Sequence, residues 1–389
     1  MTHFQHTLGL GIGGTAIGVV LLSSYLPTRR ELSDSAIHPT PSSGSAEAEV
    51  LAARRLFRAA INSEEPFFTG LGQLPHGSFT RVAKDLSGDG AAIVGYTYSK
   101  LGLKSFRFTP EDGFVSLAGG LDSSDIVANA VSTDGTTVVG SITSFKGAEA
   151  FRWRADEGVV LLGNLPGKAT SIARAVSGDG GTVVGECDDD AFRWTADEGM
   201  VRLIGLPPGC SRFVAHDISA DGTVVVGSCQ GPTYSTVAFC WTESSGGVVL
   251  KNTINSGELI AKAVTADGAV VVGMAGNEAF RWTADGGVVP LERQLAGNGR
   301  TLVSDVSADG SVIVGAHESI RGVDAFLWDA KHGMRTVREV LSDELNLANS
   351  LVGWRLTNVS SVSGDGRFIA GMGWNAQDDL EAWMARVGE

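Results

Sequence analysis

Basic residues are scarce in this chain: 30 Lys and Arg against 44 Asp and Glu leave a formal net charge of -14 over 389 residues. That balance speaks against nucleic acid or an anionic membrane surface as the main partner. It suits a solvated, hairpin-rich surface, with attraction of cations such as calcium as the functional alternative. Cysteine is scarce too. Cys187, Cys210, Cys229 and Cys240 form no Cys-x-x-Cys, and no His lies at ligand spacing from them, which excludes zinc and thioredoxin-like readings. Cys229 and Cys240 fall on strands expected to be adjacent and are the first candidates for a disulfide; free buried thiols are the alternative.

Catalytic signatures are also missing. No nucleophile elbow, phosphate loop, zinc-binding helix motif or dinucleotide fingerprint occurs, so no catalytic residue, metal or cofactor is assigned. The histidines His3, His6, His38, His76, His216, His317 and His332 are isolated from one another and read as surface or satisfied residues.

Residues 1–27 are apolar, and no Lys, Arg, Asp or Glu occurs before Arg29. Residues 8–26 are long enough to span a bilayer as a helix, and glycine is tolerated in such helices. The stretch reads as a signal peptide or an anchor. The absence of a basic start and of Ala-x-Ala after the run favours an anchor. Arg29 and Arg30 argue for a cytoplasmic position of the chain that follows, by the positive-inside rule. Residues 28–65 form a linker, rich in Ser and Pro to residue 45, then with Val50, Ala53, Phe57 and Ile61 at helical spacing.

What is abundant is glycine, 52 residues of it, most of it in a repeat. A block Ala-x-x-Val-Ser-x-Asp-Gly-x-x-Val-Val-Gly recurs seven times, with Asp-Gly at Asp89, Asp134, Asp179, Asp221, Asp267, Asp309 and Asp365. Successive units are therefore 45, 45, 42, 46, 42 and 56 residues long. The β-branched runs before each final Gly predict strands, and the Asp-Gly supplies the positive-φ residue and the Asx bond of a tight hairpin. A single Asp per turn is too few oxygens for a calcium loop. A third strand follows with aromatic pairs two residues apart, such as Phe192 and Trp194, on one face and suited to fill space between sheets. A short fourth strand completes a unit of the size of a propeller blade.

The two ends of the repeat complement each other. The seventh unit stops after its third strand at Val387, whereas residues 66–75 resemble a fourth strand with no unit before it. Pairing these removes both open edges, so residues 66–389 are expected to form an all-β, seven-bladed β-propeller of four-stranded blades, closed by an N-terminal strand completing the last blade.

The Asp-Gly hairpin never changes length, whereas the stretch from Val-Val-Gly to the third-strand aromatic does. The loops there share a face with the loops entering each blade, which makes that face the expected binding surface. Its candidate ligand-binding residues are Tyr96, Tyr98, Tyr234, Arg321, Trp374 and Asn375, with aromatics on polar loops suited to protein or sugar contacts. Lys100, Lys104, Gln377, Asp378 and Asp379 accompany them.

The segments 149–153, 190–194, 278–282 and 324–328, each an acid followed by Ala-Phe-x-Trp, together with 177–185 and its counterparts, resemble the bacterial HAF-type extracellular repeat family. The family's His is an acid in all four. The resemblance implies an exported, propeller-like protein without a transferable catalytic residue. No Trp-Asp closes a blade as in WD40 repeats, and the glycines do not fit the kelch pattern. The expected function is a non-enzymatic recognition or scaffold module, extracytoplasmic, anchored to the cytoplasmic membrane or secreted, binding a protein or glycan. The alternative is a propeller hydrolase or lyase whose carboxylates or His converge on the central channel. A lectin with one site per blade is disfavoured, because the loops differ from blade to blade.

Overall fold

The computed structural model describes residues 55, 58, 59, 61, 63–72, 80–99, 102–117, 125–233, 235–254, 257–291, 295 and 299–388. The apolar segment 8–26 and the Ser/Pro-rich tether lie outside the described residues. Of the stretch 46–61, Arg55, Arg58, Ala59 and Ile61 are helical.

Each repeat folds as four antiparallel strands. Five blades are separate four-stranded sheets, and blades 7 and 1 form one eight-stranded sheet, joined by a single parallel bridge between Thr80 and Leu380. The first strands of blades 1 to 7 are Thr80–Leu86, Asp125–Val131, Ser171–Val176, Ser211–Ile218, Leu259–Val264, Arg300–Val306 and Arg355–Val362. Each packs against the first strands of both neighbouring blades, the last against the first included. The ring is closed as the chain ends suggested. Phe67–Gly70 pairs antiparallel with Leu380–Arg386, placing Phe68 opposite Ala385 and supplying the missing fourth strand of blade 7.

The Asp-Gly turn is built the same way seven times. In blade 3 the Asp179 carboxylate accepts from Ser177 Oγ at 2.6 Å and from the Gly181 N–H at 2.8 Å. Gly180 takes φ +70, and its six counterparts lie between +70 and +75, a conformation glycine adopts at no steric cost. The Asp therefore satisfies its own turn. These bonds hold the Asp179 carboxyl below its usual range, with the Ser177 hydroxyl as the first cause.

A second recurring device was not anticipated. Every first strand carries a β-bulge at an equivalent position, between Ala83 and Asp85 in blade 1 and between Val359 and Ser361 in blade 7, which leaves the residue there without a partner across the ladder; the first strands of blades 4 and 7 have a second irregularity nearer their start. The carbonyl just before the bulge leans over the Gly of Val-Val-Gly. A Cβ on Gly185 would lie 2.0 Å from Ile172 O and 2.9 Å from a Phe192 ring carbon, and the same two obstructions recur in blades 2 to 7. Only a glycine fits between bulge and ring.

The aromatic pairs lie where their period of two puts them. Phe151 and Trp153 join one buried cluster with blade 1, Phe192 and Trp194 the next with blade 2, and one such cluster fills each of the seven interfaces. The long sixth spacing is a helical insertion after Gly333–Thr336. Thr336 and Glu339 form a capping box at its start, and Leu341 and Leu351 pack into the interface of blades 6 and 7.

A collar of backbone hydrogen bonds joins the blades beside the Asp-Gly turns. Thr133 N–H donates to Gly178 O at 3.1 Å, Gly178 to Ala220, Ala266 to Ala308, Ala308 to Gly364, and Gly364 to Gly88, across the closure. Close approach demands small residues here: a Cβ on Gly88 would lie 2.7 Å from Thr133 Cγ2. Seven chains at a hydrogen-bonded spacing of about 4.8 Å describe a circle only about 11 Å across between Cα atoms, so this end of the channel is narrow.

Candidate functional site

Two regions combine accessible chemistry with variation among the blades: the face opposite the Asp-Gly turns, and the channel. On that face the sequence expectation needs correction. The extra residues of blades 1, 2 and 6 are not long loops but longer hairpins, closing through Ser99–Gly102, Ser144–Gly147 and Ser319–Gly322 with glycine φ of +96, +117 and +129. Tyr96 and Tyr98 therefore lie on the strand Ile93–Ser99, ring centroids 5.8 Å apart and edge to face. Tyr98 is 37% exposed and Tyr96 half-buried. Burial, then the neighbouring Tyr98, pushes the Tyr96 phenol up to about 12, and burial raises Tyr98 as well, so both remain neutral donors.

Arg321 is exposed at the tip of the blade 6 hairpin, beside the fully exposed Ile320, and the blade 2 tip has the matching pair Phe145 and Lys146. Trp374 ends the strand Phe368–Trp374 half-buried, with the Arg355 guanidinium 5.6 Å from its ring centroid. Asn375 is buried rather than displayed. Its amide donates to Glu381 Oε2 at 2.7 Å and its carbonyl accepts from the Gln377 and Asp379 N–H groups, so it holds the blade 7 loop in shape. Tyr234 and Lys100 lie outside the described residues. Tyr98, Arg321 and Trp374 share the face but sit on different blades, and no described hydrogen bond links them.

Cys229 and Cys240 are not a pair. Cys229 lies opposite Val237, three positions from Cys240, and the odd offset puts the two thiols on opposite faces of the blade. Cys229 instead meets Cys210, in the interface of blades 3 and 4, where burial and that contact raise the Cys229 thiol. All four cysteines are free.

The channel is the region that reading along the chain missed. The seven bulged residues are Lys84, Asn129, Arg174, His216, Lys262, Ser304 and Ser360, all polar. Lys262 on blade 5 feels the charges of Arg174 on blade 3, Lys84 on blade 1 and Arg300 on blade 6. Groups on alternate blades can meet only across the axis. Burial first, then these neighbours, lowers the Lys262 ammonium to about 8; burial, then Lys262 and Arg174, puts His216 well below its usual value and keeps it neutral. His216 Nε2 lies 2.9 Å from Ser228 Oγ.

Carboxylates converge beside these cations. Asp85, Asp217 and Asp305 follow the bulges of blades 1, 4 and 6. Each accepts from its own strand and from the next blade: Val131 N–H to Asp85, Val264 N–H to Asp217 and Val362 N–H to Asp305, at 2.8 to 2.9 Å. They staple blade to blade. Ser361 Oγ lies 2.7 Å from both an Asp85 and an Asp305 oxygen. One hydroxyl carries one proton, so two full bonds there require a proton on one of the carboxyls. Burial, followed by the charge of Asp305, accordingly pushes Asp85 up to about 7 and Asp217 up to about 8.

No family model and no curated protein matches the chain. Among solved structures, a chain of the mitotic checkpoint complex aligns over 84% of this chain and 96% of its own, with TM-score 0.50 and 13% identity. TolB from Acinetobacter baumannii aligns over 77% of this chain and 81% of its own, with TM-score 0.42 and 12% identity. A TolB-like protein from Agrobacterium tumefaciens aligns over 81% and 91%, with TM-score 0.38 and 15% identity. At these identities the likeness concerns the fold alone.

Proposed function

We propose that this protein is a non-enzymatic recognition or scaffold propeller that binds a protein or glycan on the face opposite its Asp-Gly turns, and that it works outside the cytoplasm on its N-terminal segment. The observation that carries the reading is the contrast between the two faces. One repeats a single turn seven times with its polar groups satisfied internally, whereas the other differs from blade to blade and exposes Tyr98, Phe145, Lys146, Ile320 and Arg321. Exposed aromatic and Arg groups are the residue types that dominate binding energy at interfaces.

The chain enters the propeller on the side away from that face. Phe67–Gly70 runs antiparallel to Leu380–Arg386, and Val387 bonds to Arg367 of the last Asp-Gly turn, so residues 63–66 enter from the Asp-Gly side.

Protease accessibility in intact cells tests location, and a screen of surface proteins and glycans tests binding. Digestion from outside, together with a captured ligand whose affinity drops at least tenfold in Tyr98→Ala or Arg321→Ala, supports the reading. Full protection until the cytoplasmic membrane is breached overturns the location. Binding unaffected by both substitutions overturns the placement of the face.

A further inference from the structure

The channel residues have unequal hydrogen-bonding accounts. The acceptors are satisfied: Asp85, Asp217 and Asp305 take backbone N–H groups on both sides, and Glu186 takes Arg174 at 2.6 Å. Asn129, Ser304 and Ser360 are also engaged, Asn129 by donating to Ala173 O at 2.8 Å and Ser360 by accepting from Asn358.

The donors are not satisfied. Among the described residues, neither ammonium of Lys84 or Lys262 has a hydrogen bond or ion pair. The Nε of Arg174 and the Nε of Arg300 are both buried without a partner. Lys84 and Lys262 are half-buried, and the cations repel one another: Lys84 is lowered by burial and then by Arg174, with Asp85 opposing, and Lys262 by burial and then by Arg174, Lys84 and Arg300. A chain of net charge -14 has nonetheless gathered four cations from blades 1, 3, 5 and 6 around one axis. What the two ammoniums and the two guanidinium Nε groups lack is acceptors of their own.

We propose that the central channel binds a small multivalent oxyanion, held by Lys84, Lys262, Arg174 and Arg300. Such a ligand supplies several acceptor oxygens at one point, and charge-assisted bonds of this kind are about twice as strong as neutral ones. Its entrance is the variable-loop face, because the collar of Gly88, Thr133, Gly178 and their counterparts narrows the other end. The bulges are the device that places three of these four cations: Lys84, Arg174 and Lys262 each sit at a bulge and have no partner across the ladder, whereas Arg300 begins the first strand of blade 6.

This site is independent of the ligand proposed for the loop face. Inorganic phosphate, sulfate and citrate, titrated separately into the full chain with calorimetry and thermal unfolding as readouts, test it. Saturable binding of at least one anion with a rise in melting temperature is expected, and phosphate or sulfate against citrate distinguishes a tetrahedral oxyanion from a carboxylate. Lys84→Met and Lys262→Met keep the aliphatic stem and remove the charge. Each is expected to weaken binding at least tenfold while leaving the anion-free melting temperature unchanged or higher, since a repelling buried cation is gone. Lys331→Met, at an exposed turn on the opposite face, is expected to leave binding unchanged. No binding by the native chain, or equal binding by the native chain and both channel variants, overturns the proposal.

Discussion

Replacing Gly227 by Ala isolates the reason for the recurring Val-Val-Gly glycine. The added Cβ lands 2.1 Å from the Val214 carbonyl oxygen and 2.7 Å from the Phe239 Cζ. Relief requires a movement of about 1 Å or more against a contact optimum near 3.5 Å. The ring can shift a little; the carbonyl belongs to a first strand fixed by its neighbours. Overpacking of this kind costs 1–3 kcal/mol and occasionally more, and an immovable backbone oxygen puts it at the upper end, about 3 kcal/mol. Reduced freedom of the unfolded chain offsets less than about 1 kcal/mol of that. Gly199→Ala is the matched control, because nothing lies within 4 Å of its Cβ and its φ of +69 is the only obstacle. That left-handed conformation costs about 1–2 kcal/mol. Equilibrium urea unfolding should therefore rank Gly227→Ala as clearly the more damaging, and combining it with Phe239→Leu should restore only part of the loss. If the two glycine substitutions cost the same, the bulge carbonyl is not what demands glycine.

Two further outcomes follow from the channel and the closure. The raised folded-state values of Asp85, about 7, and Asp217, about 8, mean that the folded chain retains protons the unfolded chain has released. This contribution is therefore fully present below the ordinary value of 3.8 and lost as pH rises to about 8; Asp217→Asn should flatten the stability profile measured by urea unfolding across that window. At the closure, Phe68 is 9% exposed between Trp354 at 5.1 Å and Trp383 at 5.7 Å; Phe68→Ala should cost about 3–4 kcal/mol in the same assay, whereas Phe145→Ala at an exposed tip should stay within about 0.5 kcal/mol.

The blades were legible because each solves the same packing problem. Asp179 and Gly180, Phe192 and Trp194, and Gly185 recur since any departure leaves a turn unsatisfied or an interface unfilled, and the orphan strand at residues 66–75 was legible as the complement of a truncated unit. The errors came from geometry that a one-dimensional pattern does not carry. Tyr96 and Tyr98 look like loop residues in the sequence because strands can lengthen without changing their pattern. Strand adjacency makes Cys229 and Cys240 the first disulfide candidates but does not carry the parity of the register, which favours the alternative of free thiols. The channel was invisible for the opposite reason: Lys84, Asn129, Arg174, His216 and Lys262 occupy one position of the repeat, and no one side-chain type recurs in every blade. Variation at a single position between constant neighbours was the available signal, since packing holds Ala83 and Asp85's counterparts small or bonded while the bulged residue has no partner across the ladder.

The strand that closes the ring also dictates an order of events. Phe68 and its partner Ala385 stand at opposite ends of the repeat, so the first of the described strands cannot find its place until the last of them exists. Until then each blade can nucleate on local hairpins, but Phe67–Gly70 and Leu380–Arg386 both remain exposed edges, and long-range pairing of this sort is slow. The seam between blades 7 and 1 is thus the step at which nascent chains are most open to pairing with one another, and a chain permuted to begin at Arg300 would turn that late, distant encounter into a local one.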